Sequence, residues 1–372
     1  MQIDSRLSKL AKNLVNYSCA VKSGDKVLIE ASDVDYQFVV ALVREIYATG
    51  GKPFTELSSN RIKKSVLENI SAELADDMAR YASTRMKEMN CYIGIRGGEN
   101  SLELSGVPSD RLTVYSKHFS HPVHHELRVK KTRWVVLRYP TQGMSQQANM
   151  STESFEDFYF DVCNLNYGKM DKAMDALSVL MDKTDKVRIT AKDTDITFSI
   201  KGIPAVKCSG RHNIPDGEIY TAPVKNSVNG TIAYNTSSIH NGRKYENVKL
   251  TFKDGRIIDA SANFTKELNA ELDTDEGARY VGEFAIGVNP HITQPTGDIL
   301  FDEKISGSIH FTPGACYDEA SNGNVSAVHW DLVLMQTPES GGGKIYFDDT
   351  LIRKDGLFVL PELKCLNPEN LK

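Results

Sequence analysis

No stretch of the 372-residue chain stays apolar for the roughly 18 or more residues that a membrane-spanning helix needs. The opening residues, MQIDSRLSKLAKNLV, are amphipathic rather than a charged tip followed by an apolar core, so they do not read as a secretory signal. No Lys/Arg block interleaved with aromatics occurs, and the formal net charge is −5, which argues against a general nucleic-acid surface. The six cysteines are scattered, with no Cys-x-x-Cys pair, as expected for reduced, mostly buried thiols of a cytoplasmic protein. Nucleotide fingerprints are missing as well. Gly94-Ile95-Arg96-Gly97-Gly98 does not fit Gly-x-Gly-x-x-Gly, and Gly341-Gly342-Gly343-Lys344 is followed by Ile345, where a phosphate loop needs Ser or Thr.

What remains is a chain too long for one typical core, with an ordinary apolar and charged content, so two domains are expected. In the first half helix and strand alternate. Leu7, Leu10, Ala11, Leu14 and Val15 recur at helical spacing, which predicts a helix over 4–20. Lys26–Ala31, Lys52–Leu57, Cys91–Ile95 and Trp134–Leu137 read as strands. Between them fall helical stretches at 36–49, stopped by Gly50-Gly51, at about 65–89 and near 108–129. This alternation predicts an α/β domain with a mostly parallel sheet and flanking helices. Ser151 or Thr152 can cap a further helix that runs to about Met181, with a break near 164–168.

The most obvious histidine cluster lies in this half: His118, His121, His124 and His125 with Glu126. His121 and His125 have the spacing of one helix face, but Pro122 between them disfavours a continuous helix. The general-base glutamate of His-Glu-x-x-His is also missing. These are expected to be helix and loop histidines near an interdomain or subunit surface, not ligands.

Near residue 183 the period changes from helical to alternating, and the domains are placed at 1–183 and 184–372. Strands are expected at 186–191, 195–201, 247–252 and 256–262, with Asp254-Gly255 and Asp355-Gly356 as tight hairpin turns. With one helix near 265–272, the second domain is α+β and strand-rich. Several of its strands oppose a metal-competent group to an apolar face. Pro215-Asp216-Gly217 delivers Glu218 to the head of a short strand. Glu283 alternates with Phe284 and Ile286, and His310 with Ile309 and Phe311. With Val328–Met335 taken as a strand, His329 and Asp331 share the face opposite Val328, Trp330, Leu332 and Leu334. Two glutamates, two histidines and an aspartate are the inventory of a two-metal hydrolase, and the lack of thiolates argues against a closed structural zinc site. The plainer alternatives are a surface pair of His329 with Asp331 and an interior Tyr317.

The segments NIPDGEIYTAP (213–223), GEFAIGVNP (282–290), ILFDEKISGSIHFTPGACY (299–317) and NVSAVHWD (324–331) carry a resemblance to a known family. RYPTQGMSQQANMSTESFEDFYF (138–160) matches it between the two halves. The chain resembles the thermophilic-type metallo-aminopeptidases, which include aminopeptidases T and S, over nearly its whole length. The resemblance implies an N-terminal α/β domain, a C-terminal catalytic domain and a homodimer. The implied activity releases N-terminal amino acids from peptides with a free N-terminus, through a metal-bridged water. Glu218, Glu283, His310, His329 and Asp331 fall on the family's metal ligands and Tyr317 on its active-site tyrosine. Two divalent ions per subunit are implied; zinc leads, and oxygen-rich ligation also admits cobalt, manganese or magnesium. Glu218 or Glu283 could serve as base as well as ligand, and Tyr317 could either donate to an oxyanion or ligate a metal. The Phe-Thr-Pro-Gly-Ala-Cys run after His310 departs from the more aliphatic pattern of relatives and bears on loop shape and substrate fit. Two rival classes are a hydrolase using Cys316 as nucleophile and a binding protein that has kept the fold without activity.

Overall fold

A computed structural model describes residues 3–100 and 102–372, which form two compact units. The first runs to Asn164 and takes back Gly210–Ile214; the second comprises Leu165–Ser209 and Pro215–Lys372. The division thus falls at 164/165 rather than 183. Helix Tyr167–Lys183 belongs to the second unit, and Lys207 and Ser209 bond to its Asp171 and Asp175 at 2.6–3.0 Å.

The first unit is built on five parallel strands, in the order Lys52–Ser58, Lys26–Ser32, Cys91–Arg96, Arg133–Arg138, Asn213–Ile214. The central strands are nearly continuous apolar runs, as parallel strands covered on both faces should be. Side-chain caps start its helices: Asp35 accepts from Gln37 N, Ser71 from Leu74 N and Ser151 from Ser154 N. The expected long helix at 65–89 is instead two, Asn60–Leu67 and Ala72–Met86, because Ser71 caps the second while Ile70 turns inward. The expected break at Pro122 does not occur. Helix Ser109–Tyr115 continues as π-helical turns over Ser116–Val129, and this wider ladder carries the proline without a stop.

The second unit contains two antiparallel sheets and a hairpin. One sheet has eight strands, ordered Arg256–Ser261, Lys249–Lys253, Asn229–Ala233, Thr194–Ser199, Lys186–Ala191, Gly343–Phe347, Thr350–Lys354, Leu357–Phe358. The other has five: Val333–Met335, Ser308–Pro313, Val281–Gly287, Glu218–Thr221, Val206–Cys208. Asp254-Gly255 and Asp355-Gly356 both adopt positive φ at both positions, the geometry of the two-residue hairpin turn. Phe198 of the large sheet lies 5.0 Å, centroid to centroid, from both Phe284 and Phe311 of the smaller one. The small sheet therefore buries one face as aromatic core and has its other face left for chemistry.

The histidines of the first unit's cluster pack on their neighbours or on one another. His118 bonds Asp76 at 2.9 Å, His121 and His125 stack at 5.8 Å, and His124 sets its ring against Tyr92 and Phe119. Burial, reinforced by Arg128, Arg96 and Lys63, pushes the His124 pKa down to about 4. The folded protein thus takes up this proton at lower pH than the unfolded chain, whose imidazole titrates near 6.5. The stability held by the neutral ring is complete above about pH 6.5 and is lost as pH falls toward 4, on the order of 3 kcal/mol. His124→Phe should therefore flatten the acid limb of the denaturation midpoint between pH 7 and 4.5; identical profiles for both proteins would contradict this assignment.

Candidate metal centre

The three inner strands of the five-stranded sheet place the site. Across the ladder His310 lies opposite Ala285, and Glu218 lies opposite Gly287, so small residues stand next to the functional ones. Glu218 enters through the Pro215-Asp216-Gly217 turn. Gly217 adopts φ +132°, and a Cβ there would meet Asn289 Cβ at 2.9 Å and its backbone N at 3.1 Å. Asn289 in turn donates to the Asp216 carbonyl at 2.8 Å. Only glycine lets the turn pack this closely and aim Glu218 along the sheet face.

On that face, Glu283 sits between two imidazoles. Its Oε1 is 2.8 Å from His310 Nε2, and its Oε2 is 3.7 Å from His329 Nε2. His310 Nδ1 is 3.5 Å from Glu218 Oε2, and His329 Nε2 is 3.3 Å from Asp331 Oδ1. Two groups of possible metal ligands result, Glu218–Glu283–His310 and Glu283–His329–Asp331, each with its donor atoms within 4.8 Å of one another. They share Glu283. Outer contacts hold the donors in place. His329 Nδ1 donates to the Ala315 carbonyl at 2.8 Å, which leaves Nε2 facing the carboxylates, and Thr312 donates to Asp331 at 2.7 Å. Thr312 was not singled out from sequence; a hydroxyl on a strand gives no separate signal.

Val328–Met335 is not one continuous strand: regular pairing covers only Val333–Met335, and His329 makes a single bridge to Gly314. Pro313 has no N–H to give the ladder, and Gly314 turns at φ +107° with the Val328 carbonyl packed against it. The alternation of faces survives the irregularity. Val328, Trp330, Leu332 and Leu334 are buried, and Trp330 stacks on His240 at 4.3 Å while its indole donates to Ser238. Tyr317 follows on the next loop, half-exposed, with its ring 4.8 Å from that of His329. Burial first, then the charges of Glu283 and Asp331, pushes its phenol pKa up, so it is a neutral donor.

The electrostatics describe a site short of positive charge. Burial pulls His310 down, yet Glu218 and Glu283 outweigh it and hold the imidazole at about 10. His329 is raised to about 9 in the same way by Asp331 and Glu283. Glu283 itself is pushed up by burial, with His310 only partly opposing. Glu218 Oε2, Glu283 Oε2 and His310 Nδ1 are buried with no hydrogen-bond partner. Two buried carboxylate oxygens and one buried imidazole nitrogen, a mixed set once the imidazole gives up its proton, fit divalent ions such as zinc, cobalt or manganese.

Sequence reading missed Lys304 and Glu303. The Lys304 ammonium, 1% exposed, contacts Glu218 Oε1, Glu303 Oε1 at 2.6 Å and Asp216 Oδ1 at 3.7 Å. Burial pushes Glu303 up to about 8, with Lys304 opposing. The available signal was Asp302-Glu303-Lys304 embedded in an otherwise apolar run, ILFDEKISGSIHF. Cys208 also approaches Asp216 and Glu218, but burial raises its thiol pKa and keeps it a neutral thiol.

Residues 3–345 match the family described as thermophilic metalloprotease (M29). The chain belongs to that family. Aminopeptidase AmpS of Bacillus subtilis (strain 168) is 24% identical, with 84% of each chain covered. Aminopeptidase T of Thermus aquaticus is 22% identical over 88% of this chain and 92% of its own. Among solved structures, wild-type AmpT from Thermus thermophilus superposes with a TM-score of 0.80 at 19% identity, covering 96% of this chain and 99% of that one. A 2,5-dihydroxypyridine dioxygenase from Pseudomonas putida KT2440 shares the fold at a TM-score of 0.63 and 13% identity, over 98% of this chain and all of that one. The fold alone therefore does not select the reaction; family membership does, and the enzyme is a hydrolase of the metallo-aminopeptidase class.

The Gly217 turn is directly testable. Gly217→Ala should destabilise the protein by about 1–3 kcal/mol more than Gly202→Ala, because both positions have positive φ but only Gly217 faces immovable backbone. Equal denaturant midpoints for the two variants would show that the close approach to Asn289 is not a constraint.

Proposed function

We propose that the protein removes amino-terminal residues from peptides with a free N-terminus, using two divalent ions held by Glu218, Glu283, His310, His329 and Asp331 and a water shared between them. The observation that carries this reading is the pair of ligand groups joined through Glu283, with three buried donor atoms left unsatisfied. When bound, such ions supply a Lewis acid for the scissile carbonyl and a water of lowered pKa. Zinc leads among the metals this donor set suits, with cobalt, manganese and magnesium also admitted.

The chain's own residues do the rest. Glu283 has one oxygen toward each imidazole, which is the placement of a bridging carboxylate. Glu218 keeps Oε1 on Lys304 and has Oε2 unpaired, so Oε2 is the atom through which it would either ligate or take the proton of the attacking water. Tyr317, a neutral phenol beside His329, donates a hydrogen bond to the developing oxyanion. The carboxylate-rich surroundings favour a cationic α-amine over a blocked one. A nucleophilic Cys316 finds less support, since its thiol bonds Ser321 Oγ and the Asn324 carbonyl rather than a histidine. No helix among the described residues is long and apolar enough to cross a membrane. A cytoplasmic homodimer completes the proposal: the dimer rests on the family resemblance and the location on the scattered cysteines.

Dialysis against a strong chelator should abolish release of N-terminal residues, and zinc, cobalt or manganese should restore it. An N-acetylated copy of a good substrate should stay intact; internal cuts in that peptide would defeat the exopeptidase reading. His329→Ala and Asp331→Asn leave the apolar packing of Val328, Trp330, Leu332 and Leu334 in place, so both should fold. Each should lose at least about 100-fold in turnover together with metal content, more than the 10–100-fold typical of outer contacts. An exposed ion pair would leave turnover intact, so near-normal turnover at full metal occupancy rejects the residue as a ligand.

A further inference from the structure

The two ligand groups differ in one respect. The carboxylates of Glu283–His329–Asp331 meet Thr312 and the two imidazoles, and His329 Nδ1 donates to the Ala315 carbonyl. The Glu218–Glu283–His310 group instead has a permanent cation against it. Lys304 Nζ touches Glu218 Oε1, lies 2.6 Å from Glu303 Oε1 and 3.7 Å from Asp216 Oδ1, and is 1% exposed. It is not a flexible surface lysine that happens to fold inward. Its N–H donates to the Phe301 carbonyl at 3.0 Å, and its carbonyl accepts from Asn289 N at 3.0 Å. Gly287 comes close against the same stretch, so that a Cβ there would meet the Ile305 carbonyl at 2.3 Å and the Lys304 carbonyl carbon at 3.0 Å.

An ammonium is a compact point charge with three donors, and here it does for Glu218, Glu303 and Asp216 part of what a metal ion would do. A divalent ion arriving at Glu218–Glu283–His310 finds one oxygen of Glu218 already committed. It must also settle beside a fixed positive charge in a site of low dielectric, where like charges repel strongly. At Glu283–His329–Asp331 the committed oxygens face the Thr312 hydroxyl and the imidazoles of His310 and His329, and an imidazole gives up its proton when it ligates, unlike the lysine ammonium.

Taking the two-ion reading of the site as its basis, we infer that Lys304 is a resident cation that makes the two positions unequal. The ion on Glu283–His329–Asp331 binds first and tightly. The ion on Glu218–Glu283–His310 binds second and at least about tenfold more weakly. Lys304 is on this account a positioning residue: it orients Glu218 and sets the occupancy of the second position without touching substrate.

The test is a zinc titration of the metal-stripped full-length protein, by calorimetry with metal analysis after dialysis, so that activity is not the readout. The wild type should bind one equivalent tightly and a second at least tenfold more weakly. Lys304→Met should narrow that gap, and Lys304→Arg, which keeps the charge, should preserve it. Two wild-type equivalents of matched affinity overturn the inference and leave the two-ion reading standing. A gap unchanged in Lys304→Met also overturns it, because the inequality then has another cause. A single equivalent in every variant, however much zinc is added, removes both the inference and the two-ion reading. Should Lys304→Met not fold, Lys304→Gln is titrated in its place, with the same two outcomes deciding.

Discussion

Carboxylates taken out of water need cations, and the second unit of this protein is arranged around that requirement. Asp216, Glu218 and Glu283 are buried, and Glu303 and Asp331 nearly so. Among the positive groups that reach them are the Lys304 ammonium and the imidazoles of His310 and His329. The compensation is incomplete, as the raised His310 and His329 and the orphaned oxygens of Glu218 and Glu283 show. Such a cluster holds its shape because the sheet behind it is rigid. Phe284 and Phe311, packed on Phe198, fix the strands whose opposite faces carry Glu283 and His310.

The same arrangement explains why fold and chemistry separate here. A dioxygenase shares the fold over 98% of this chain at 13% identity. What a strand-rich sheet with one apolar face supplies is a stiff platform on which neighbouring strands can display side chains a few ångströms apart. The reaction then depends on which groups occupy those positions. In this chain the positions hold a mixed carboxylate and imidazole set suited to divalent ions, and the family to which the chain belongs is one of metalloproteases.

The first unit shows how far local pattern carries and where it stops. Four of its five parallel strands were legible because each is a short apolar run between helical stretches and turn residues, whereas Asn213–Ile214 joins the sheet from the second half of the chain and was not. The helix boundaries were less so. The expected helix over 65–89 divides at Ser71, where a side-chain cap and the buried Ile70 override a continuous helical pattern. Pro122 misled in the opposite direction, since the π-helical turns of 116–129 absorb it. The conspicuous histidines of that segment are packed against Asp76, Tyr92 and Phe119, contacts that no spacing rule reveals.

The sequence by itself determined which faces carry which chemistry. A period of two opposes Glu283, His310, His329 and Asp331 to apolar neighbours whatever the partner strands are, and the Pro-Asp-Gly turn aims Glu218. Only the tertiary structure decided that Glu283 stands between two imidazoles, because that depends on the register of strands distant in sequence. Tertiary structure also decided that Lys304 sits against Glu218, 86 residues away in the chain. A lysine beside a short helix reads as a solvated surface charge. It becomes part of the centre because the strand that carries Glu218 and the segment before His310 flank the same Gly287–Asn289 stretch, which brings the ammonium to the buried carboxylates.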